Sequence, residues 1–312
     1  MITVHIMGNI GNQLFIYAMA RSIQLEKKQQ LTFDLSGLKR NYYKANYKLD
    51  CFAIPTEINY DLMQLGLFSR CFYKLSSSIY HLQHFYYRKK NGYTSTPESL
   101  CRRWYKRGCI YNTRRSYLDE PFPDKKNLYV YGYFQSEKYF KKYEDIIRQE
   151  LKVITPISSY SASMIEQMAS CNSVAVSIRA SVAPENPKVK DNLELGFIDK
   201  DYYYRGMEEI AKHVENPVFY IFADNLDIVK AEYDFPYPVV YVTPEDSADG
   251  IRLMYNCKHF VIANSTFSWW GAYLSSNPDK KVVVPAVFDR VGPRPDIFGE
   301  DVIKLDVQFL NY

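Results

Sequence analysis

Short apolar runs alternate with amphipathic stretches along the second half of the chain. The apolar runs have the length of strands, and we predict strands at Val174–Ile178, Val218–Phe222, Val239–Val242, Phe260–Ala263 and Val282–Pro285. Helical spacing between them predicts helices at Tyr202–Val214, Leu226–Tyr233, Ser247–Asn256 and Ser268–Leu274. This repetition predicts a parallel sheet covered by helices on both faces. A ligand is then expected at the carboxyl ends of the strands.

The first half opens with the same alternation. The apolar run Ile2–Met7 is followed by "GNIGNQ", by a stretch of helical spacing and by the apolar "LTFDLSG", which together predict a βαβ unit. The pattern is interrupted over about 61–120. It returns with a predicted strand at Asn127–Phe134 and a helix over "SEKYFKKYEDIIRQEL" that starts at Ser136.

A length of 312 residues suits two domains of this class. Proline and serine cluster in "VITPISSYSAS" between the two alternating regions. We therefore predict an N-terminal Rossmann-like domain over 1–155, interrupted by the insertion at about 61–120, and a C-terminal Rossmann-like domain over 156–312.

Composition excludes several other classes of protein. Hydrophobic residues make up 47% of the chain and charged residues 24%, which is an ordinary globular balance. The chain lacks a long apolar run and a basic leader, so we predict a cytoplasmic protein. The six cysteines are scattered and the histidines have no metal-ligand spacing, so we expect reduced thiols, no metal site and no bound cofactor.

The segment from Asp61 to Ser116 concentrates positive charge. It holds 11 Lys/Arg residues and 11 aromatic residues, against only Asp61 and Glu98 as acids. No nucleic-acid recognition motif accompanies them, and we expect no nucleic-acid partner. Two interpretations stay open: a helical insertion with a solvated basic face and buried rings, or a peripheral contact with the anionic inner face of a membrane, where a lipid-linked acceptor would be presented.

The turn "GNIGNQ" is the first candidate site. Gly8 and Gly11 bring backbone amides close to a helix N-terminus, where an anion can bind, and Asn12 and Gln13 could add side-chain donors. A tight turn that needs small residues would have the same sequence.

Three strand ends of the second domain supply further candidates. Asn264, Ser265, Thr266 and Ser268 surround the start of a predicted helix, where hydroxyl and amide donors suit phosphate or sugar oxygens; one of them could instead be a simple cap. Asp224 ends a strand where it could contact a base or ribose, or cap the next helix. Arg179 ends another, as a phosphate ligand or as an ordinary strand-end cation.

Three stretches carry a family resemblance: "GNIGNQLFIYAMA", "GYFQSEKYF" and "CKHFVIANSTFSWWGAYL". They resemble the motifs of glycosyltransferase family 11, the bacterial α-1,2-fucosyltransferases, and the likeness extends over almost the whole chain. It implies an α/β, GT-B-like fold with two Rossmann-like domains facing a central cleft. It also implies metal-independent, inverting transfer of L-fucose from GDP-β-L-fucose to a galactoside-type hydroxyl of a surface-polysaccharide precursor.

The resemblance also implies roles for the candidate residues. Arg179 and Asn12 would act in catalysis, and Gly8, Gly11 and Gln13 would face the diphosphate and the sugar. The remaining donor-binding residues would be Ser177, Asp224, Asn264, Ser265, Thr266 and Ser268. Glu194, Asp199 and Asp34 are weak candidates for a catalytic base.

One family motif is only partly present. The family typically has His-x-Arg-Arg-x-Asp at the end of the first strand of the donor domain, whereas this chain has Ser177, Arg179, Ala180 and Val182 at the four specified positions. The first arginine is therefore retained and the other three residues are not. Two alternatives follow: the same fold with a different nucleotide sugar, or an inactive homologue that only binds a sugar or nucleotide.

Overall fold

The computed structural model describes residues 1–40, 47–55, 58, 66–91, 96–113, 116–180, 196–290, 292 and 294–310. The chain forms two compact units. The first contains Met1–Leu151 and Pro295–Ile297, and the second contains Lys152–Arg294 and Phe298–Tyr312. Each unit is built around its own parallel sheet.

The sheet of the first unit has the strand order β2-β1-β4-β3. Its strands are β1 (Ile2–His5), β2 (Leu31–Asp34), β3 (Cys109–Asn112) and β4 (Leu128–Gly132). All three strand pairs are parallel, so the carboxyl ends of the four strands lie along one edge. The predicted βαβ unit is present, with helix α1 (Ile10–Lys27) connecting β1 to β2.

The remaining helices of this unit are α2 (Ser36–Arg40), α3 (Leu67–Asn91), α4 (Glu98–Tyr105) and α5 (Glu144–Glu150). Two observations differ from the sequence prediction. Strand β3 lies within the segment read as an insertion and pairs with β4. The helix predicted from Ser136 is instead two 3₁₀ turns, Glu137–Tyr139 and Lys141–Tyr143, followed by α5, and Ser136 caps the first turn.

The sheet of the second unit has the strand order β10-β9-β8-β5-β6-β7. Its strands are β5 (Asn172–Ile178), β6 (Pro217–Ala223), β7 (Val239–Tyr241), β8 (His259–Ile262), β9 (Val282–Pro285) and β10 (Ile303–Leu305). The helices are α6 (Ser159–Ser170), α7 (Lys200–His213), α8 (Leu226–Glu232), α9 (Ser247–Tyr255) and α10 (Thr266–Leu274). The five strands and four helices predicted for this region are all present.

Alternation along β5 explains why helices cover both faces of this sheet. Val174, Val176 and Ile178 face a core that includes Tyr202 and Met207 of α7. Ala175 faces the opposite core, which α6, α9 and α10 help to form. After β7 the chain returns to place β8 on the other side of β5. The strand order therefore reverses between β5 and β8, which is where open α/β sheets usually bind their ligands.

Candidate active site

The carboxyl edge of the second sheet brings several predicted residues together. The register pairs Ile178 of β5 with Ala223 of β6, and Ser177 with Ile262 of β8. Arg179, Asp224 and the segment 263–266 therefore leave three adjacent strands at one edge. Ser177 itself is only 6% exposed within β5.

Arg179 is a largely buried cation at this edge. Its guanidinium carbon lies 5.2 Å from the centre of the Phe197 ring, and its backbone amide donates to the Tyr203 hydroxyl over 3.4 Å. The Nη1 atom is buried and has no hydrogen-bond partner among the residues that the structure describes. Burial lowers the pKa of Arg179, and the negative charge of Asp224 acts in the opposite direction. A buried charged donor without a partner is unfavourable, and an anionic ligand would satisfy it.

Asp224 connects the loops that follow β5 and β6. Its Oδ1 accepts a hydrogen bond of 2.7 Å from the amide of Ala180. Desolvation raises the pKa of Asp224, while the Ala180 amide and the Arg179 charge act to lower it. Asn225, not Asp224, caps α8 by accepting from the Ile228 amide. Asp224 is therefore not the cap of α8, and its carboxylate lies near Arg179.

The polar residues at the start of α10 divide into two groups. Ser265 is the N-cap, with its Oγ 3.3 Å from the Phe267 amide, and Thr266 is partly exposed in the first turn. Asn264 is 1% exposed and donates to the carbonyls of Gly196 and Phe288 over 3.1 Å each. Ser268 is fully buried and donates to the Ser265 carbonyl over 3.1 Å.

This division corrects the expectation of four ligand-facing donors. The side chains of Asn264 and Ser268 point into the protein because they satisfy carbonyls of the surrounding loops. They shape the binding edge, whereas Ser265, Thr266 and the first amides of α10 present polar groups at its surface.

The turn of the first unit is tightly packed at the N-terminus of α1. Gly8 has φ +76°, and a Cβ added there would lie 2.6 Å from the Nδ2 of Asn12. The Oδ1 of Asn12 accepts a 2.8 Å hydrogen bond from Gln135, which follows β4. Gly11 is buried in the first turn of α1.

Gln13 supports this turn from inside. It is fully buried, its Nε2 donates to the Gly8 carbonyl, and its Oε1 accepts from the Lys48 amide, each over 3.0 Å. Its amide therefore holds the turn in place, which corrects the expectation that it faces the donor sugar.

The candidate bases occupy different environments. Glu194 lies outside the described residues. Asp199 is the N-cap of α7 and accepts from the Tyr202 amide over 3.2 Å, as a capping carboxylate does. Asp34 is buried at the end of β2.

Three donors surround the Asp34 carboxylate: His5 Nδ1 at 3.2 Å, the Ser36 amide at 3.0 Å and the Tyr73 hydroxyl at 2.8 Å. Burial acts to raise the pKa of Asp34, but these hydrogen bonds together outweigh it and lower the pKa well below the usual carboxyl value. A carboxylate with a lowered pKa is a poor proton acceptor, so the geometry favours a structural role for Asp34.

Several residues near the candidate site were not predicted from the sequence. Phe197 and Tyr203 contact Arg179, and Gln135 contacts Asn12. Asp289 follows β9, is 1% exposed and pairs with Arg294. Its negative charge also acts to raise the pKa of Arg179. Only Gln135 and Asp289 had a signal in the sequence, since each follows a predicted strand.

Two further observations concern metals and thiols. Among the described residues, no group of three or more His, Cys, Asp or Glu side chains is arranged to hold a metal ion. All six cysteines are free, in agreement with the prediction from their scattered positions.

Comparison with known proteins agrees with this architecture. The chain is 24% identical to an alpha-1,2-colitosyltransferase of Escherichia coli over 88% of both chains. It is 28% identical to the O-antigen biosynthesis glycosyltransferase WbnK of Escherichia coli, over 89% of this chain and 91% of the relative. Among solved structures it is similar to the fucosyltransferase NodZ from Bradyrhizobium, with a TM-score of 0.51, 13% identity, and coverage of 86% of this chain and 91% of that chain.

The likeness to this structure and the two parallel sheets confirm the predicted α/β, GT-B-like fold class. The family model of glycosyl transferase family 11 matches residues 110–291. That range is more than half of the 312 residues and contains β5, β6, β8 and the strand-end residues that follow them. The chain therefore belongs to glycosyl transferase family 11.

Proposed function

We propose that this glycosyltransferase moves L-fucose from GDP-β-L-fucose to a galactoside-type hydroxyl of a surface-polysaccharide precursor, forming an α-1,2 linkage. The acceptor hydroxyl oxygen attacks the anomeric carbon and its proton is released to solvent, while the bond from that carbon to the β-phosphate oxygen breaks and the configuration inverts. GDP leaves with the bonding electron pair. The substrates proposed are thus a nucleotide-sugar donor and a glycan acceptor.

The observation that carries the proposal is the buried Nη1 of Arg179, which has no hydrogen-bond partner among the described residues and follows the strand that pairs with β8, the strand before α10. Negative charge grows on the β-phosphate as the sugar departs. A fixed guanidinium, the Ser265 and Thr266 hydroxyls and the first amides of α10 would stabilise that charge without rearranging. We accordingly propose that no divalent metal is required, which predicts unchanged turnover in excess EDTA.

The Gly8 turn is proposed to contact the diphosphate and the transferred sugar. Support comes from the amides at the start of α1 and from Asn12, whose side chain is held by Gln135. Asp224 is proposed to contact the guanosine part, and the Ala180 amide that it accepts from fixes its orientation.

A second candidate is sugar transfer by the same fold from a different nucleotide sugar. Two observations favour it: one relative is named a colitosyltransferase, and the motif residues of the family are replaced at Ser177, Ala180 and Val182. Ala180 is fully buried in the core, so its side chain reaches no ligand. Val182 lies outside the described residues.

Thermal unfolding with a panel of nucleotides and nucleotide sugars tests the donor. A ligand present at 100 times its dissociation constant stabilises the native state by about 2.7 kcal/mol. We expect GDP and GDP-fucose to raise the melting temperature and UDP, ADP and dTDP to have no effect. A shift with a different nucleotide alone would establish the second candidate instead.

Product analysis by mass spectrometry then separates an enzyme from a binding protein. The protein is incubated with the stabilising donor and a panel of galactoside acceptors. A mass increase of one deoxyhexose on the acceptor is expected. Tight donor binding with no product from any acceptor would indicate a homologue that binds nucleotide sugars without transferring them.

A further inference from the structure

Helix α3 of the first unit has one face packed into the protein. Tyr73, Ser76 and Tyr80 are buried on this face, and the two tyrosines join a cluster with Leu100 and Trp104 of the neighbouring part of the unit. The Trp104 indole also donates to Gln83 over 3.1 Å. These contacts fix the rotation of the helix about its axis.

A second face of the helix carries large apolar side chains that are 40–84% exposed. Phe68, Leu75 and Leu82 are 84%, 63% and 71% exposed and recur every seven residues. Ile79 and Tyr86 follow Leu75 and Leu82 by four residues, so all five lie on one side of the helix. We refer to these five residues as the outer stripe.

The concentration of apolar surface here is unusual for the molecule. Of the thirteen large hydrophobic residues that are exposed in the described part of the chain, seven are on α3, namely the outer stripe with Leu67 and Phe85. A helix of 25 residues is about 37 Å long, so the stripe is an extended surface rather than a single exposed side chain. Contiguous exposed apolar surface of this kind marks an interaction site.

The positive charge of the same helix indicates that its partner is anionic. Residues 67–91 contain Arg70, Lys74, Arg88, Lys89 and Lys90 and no carboxylate. Lys89 continues the seven-residue spacing of Leu75 and Leu82. A second copy of this helix would bring like charges together, because neither copy carries an acid over 67–91, whereas an anionic surface would attract them.

We propose that the outer stripe and the cations of α3 form a docking surface for an anionic lipid bilayer. The helix lies in the interface, with its leucines and aromatic rings inserted at the boundary between headgroups and acyl chains and its lysines among anionic headgroups. No helix within the described ranges is long and apolar enough to cross a bilayer. The proposal goes beyond the transfer reaction and does not depend on which sugar is moved.

Vesicle flotation of the full chain tests this directly, with vesicles of phosphatidylcholine alone and of phosphatidylcholine mixed with phosphatidylglycerol. Binding is expected only to the anionic vesicles. Replacing Leu75→Ser together with Leu82→Ser should weaken it at least about tenfold, since two inserted leucines are lost. Replacing Lys89→Gln together with Lys90→Gln should weaken it by about fivefold for each cation.

A matched control exchanges two exposed isoleucines of the second unit, Ile154→Ser with Ile157→Ser, and should leave binding unchanged. Equal binding to neutral vesicles, no binding to either kind, or full binding by the leucine variant would overturn the proposal. If the wild type forms dimers at high concentration and the leucine variant stays monomeric, the outer stripe forms a contact between two copies of the chain instead. Nucleotide-induced thermal shifts of each variant show that the fold and the donor site are intact, so failure here is separable from failure of the proposed reaction.

Discussion

Replacing Arg179 by methionine removes the guanidinium while retaining a side chain that can pack against Phe197. The cation lies over the Phe197 ring, and its buried Nη1 has no hydrogen-bond partner among the described residues. An anionic ligand would supply that partner. The substitution should therefore affect the free protein and the nucleotide complex in opposite directions.

The two magnitudes can be estimated. A charge-assisted hydrogen bond contributes about 1.5–3 kcal/mol, so the dissociation constant for GDP should rise by about 10–150-fold. In the free protein, an unsatisfied buried donor costs about 1–3 kcal/mol. Methionine removes this cost, but it also removes the cation–π contact with Phe197, and Arg179 is partly exposed, which reduces the cost. The free energy of unfolding of the variant should therefore equal that of the wild type or exceed it by up to about 1 kcal/mol.

Calorimetric titration with GDP and thermal unfolding measure both quantities. At a GDP concentration 100 times the wild-type dissociation constant, the wild type gains about 2.7 kcal/mol of stability and the variant only about 0.3–1.4 kcal/mol. Lys212→Met is the matched control, because it removes an exposed cation paired with Glu209 near the end of α7. Wild-type GDP affinity in Arg179→Met, with the fold intact, would refute the assignment of Arg179 to the diphosphate.

Three further substitutions test other parts of the structure. Gly8→Ala should destabilise the protein by about 1–3 kcal/mol in urea unfolding and weaken GDP binding, because φ is +76° and the new methyl group would meet Asn12; unchanged stability would contradict the strained turn. Asp34→Asn should cost about 1–2 kcal/mol at pH 7. The pKa of Asp34 is lower in the folded state than in the unfolded state, where it is about 3.9. The stabilisation is therefore fully present above about pH 3.9 and is lost as the pH falls toward the folded-state pKa. The free energies of unfolding of the wild type and Asp34→Asn should converge in acid, and parallel curves would contradict this. Ala180→Arg should destabilise by at least about 2 kcal/mol, since that side chain is fully buried; a stable variant with tighter GDP binding would show that the family arginine can be restored.

The second sheet could be predicted from the sequence because each of its longer strands is a continuous apolar run followed by an amphipathic helix. Burial of both faces produces such runs, and caps such as Asp246 of α9 fix the helix starts. Two strands, β10 and β3, were not predicted. Strand β10 has three residues, and β3 lies within a basic, aromatic segment whose local pattern gives no sign of its pairing with β4.

The candidate site was predictable only as far as strand ends determine position. Parallel pairing necessarily places Arg179 and Asp224 at one edge once their strands are identified. The direction of each polar side chain depends instead on partners far away in the sequence. Asn264 points inward because of Gly196 and Phe288, and no local pattern predicts those contacts.

Ala180 shows how the structure accommodates the altered family motif. Its side chain packs into the core with Ile178, and its amide is used by Asp224, so position 180 supports the edge through its backbone. Another guanidinium is connected to this edge through Asp289. Arg294 pairs with Asp289, and the same carboxylate acts on the charge of Arg179. The positive charge at this edge is thus divided between two arginines from distant parts of the sequence and moderated by one buried acid. Because the spacing of cations determines which phosphate oxygens they can reach, donor selectivity in this chain should depend on the loops that carry Asp289 and Arg294 as well as on Arg179.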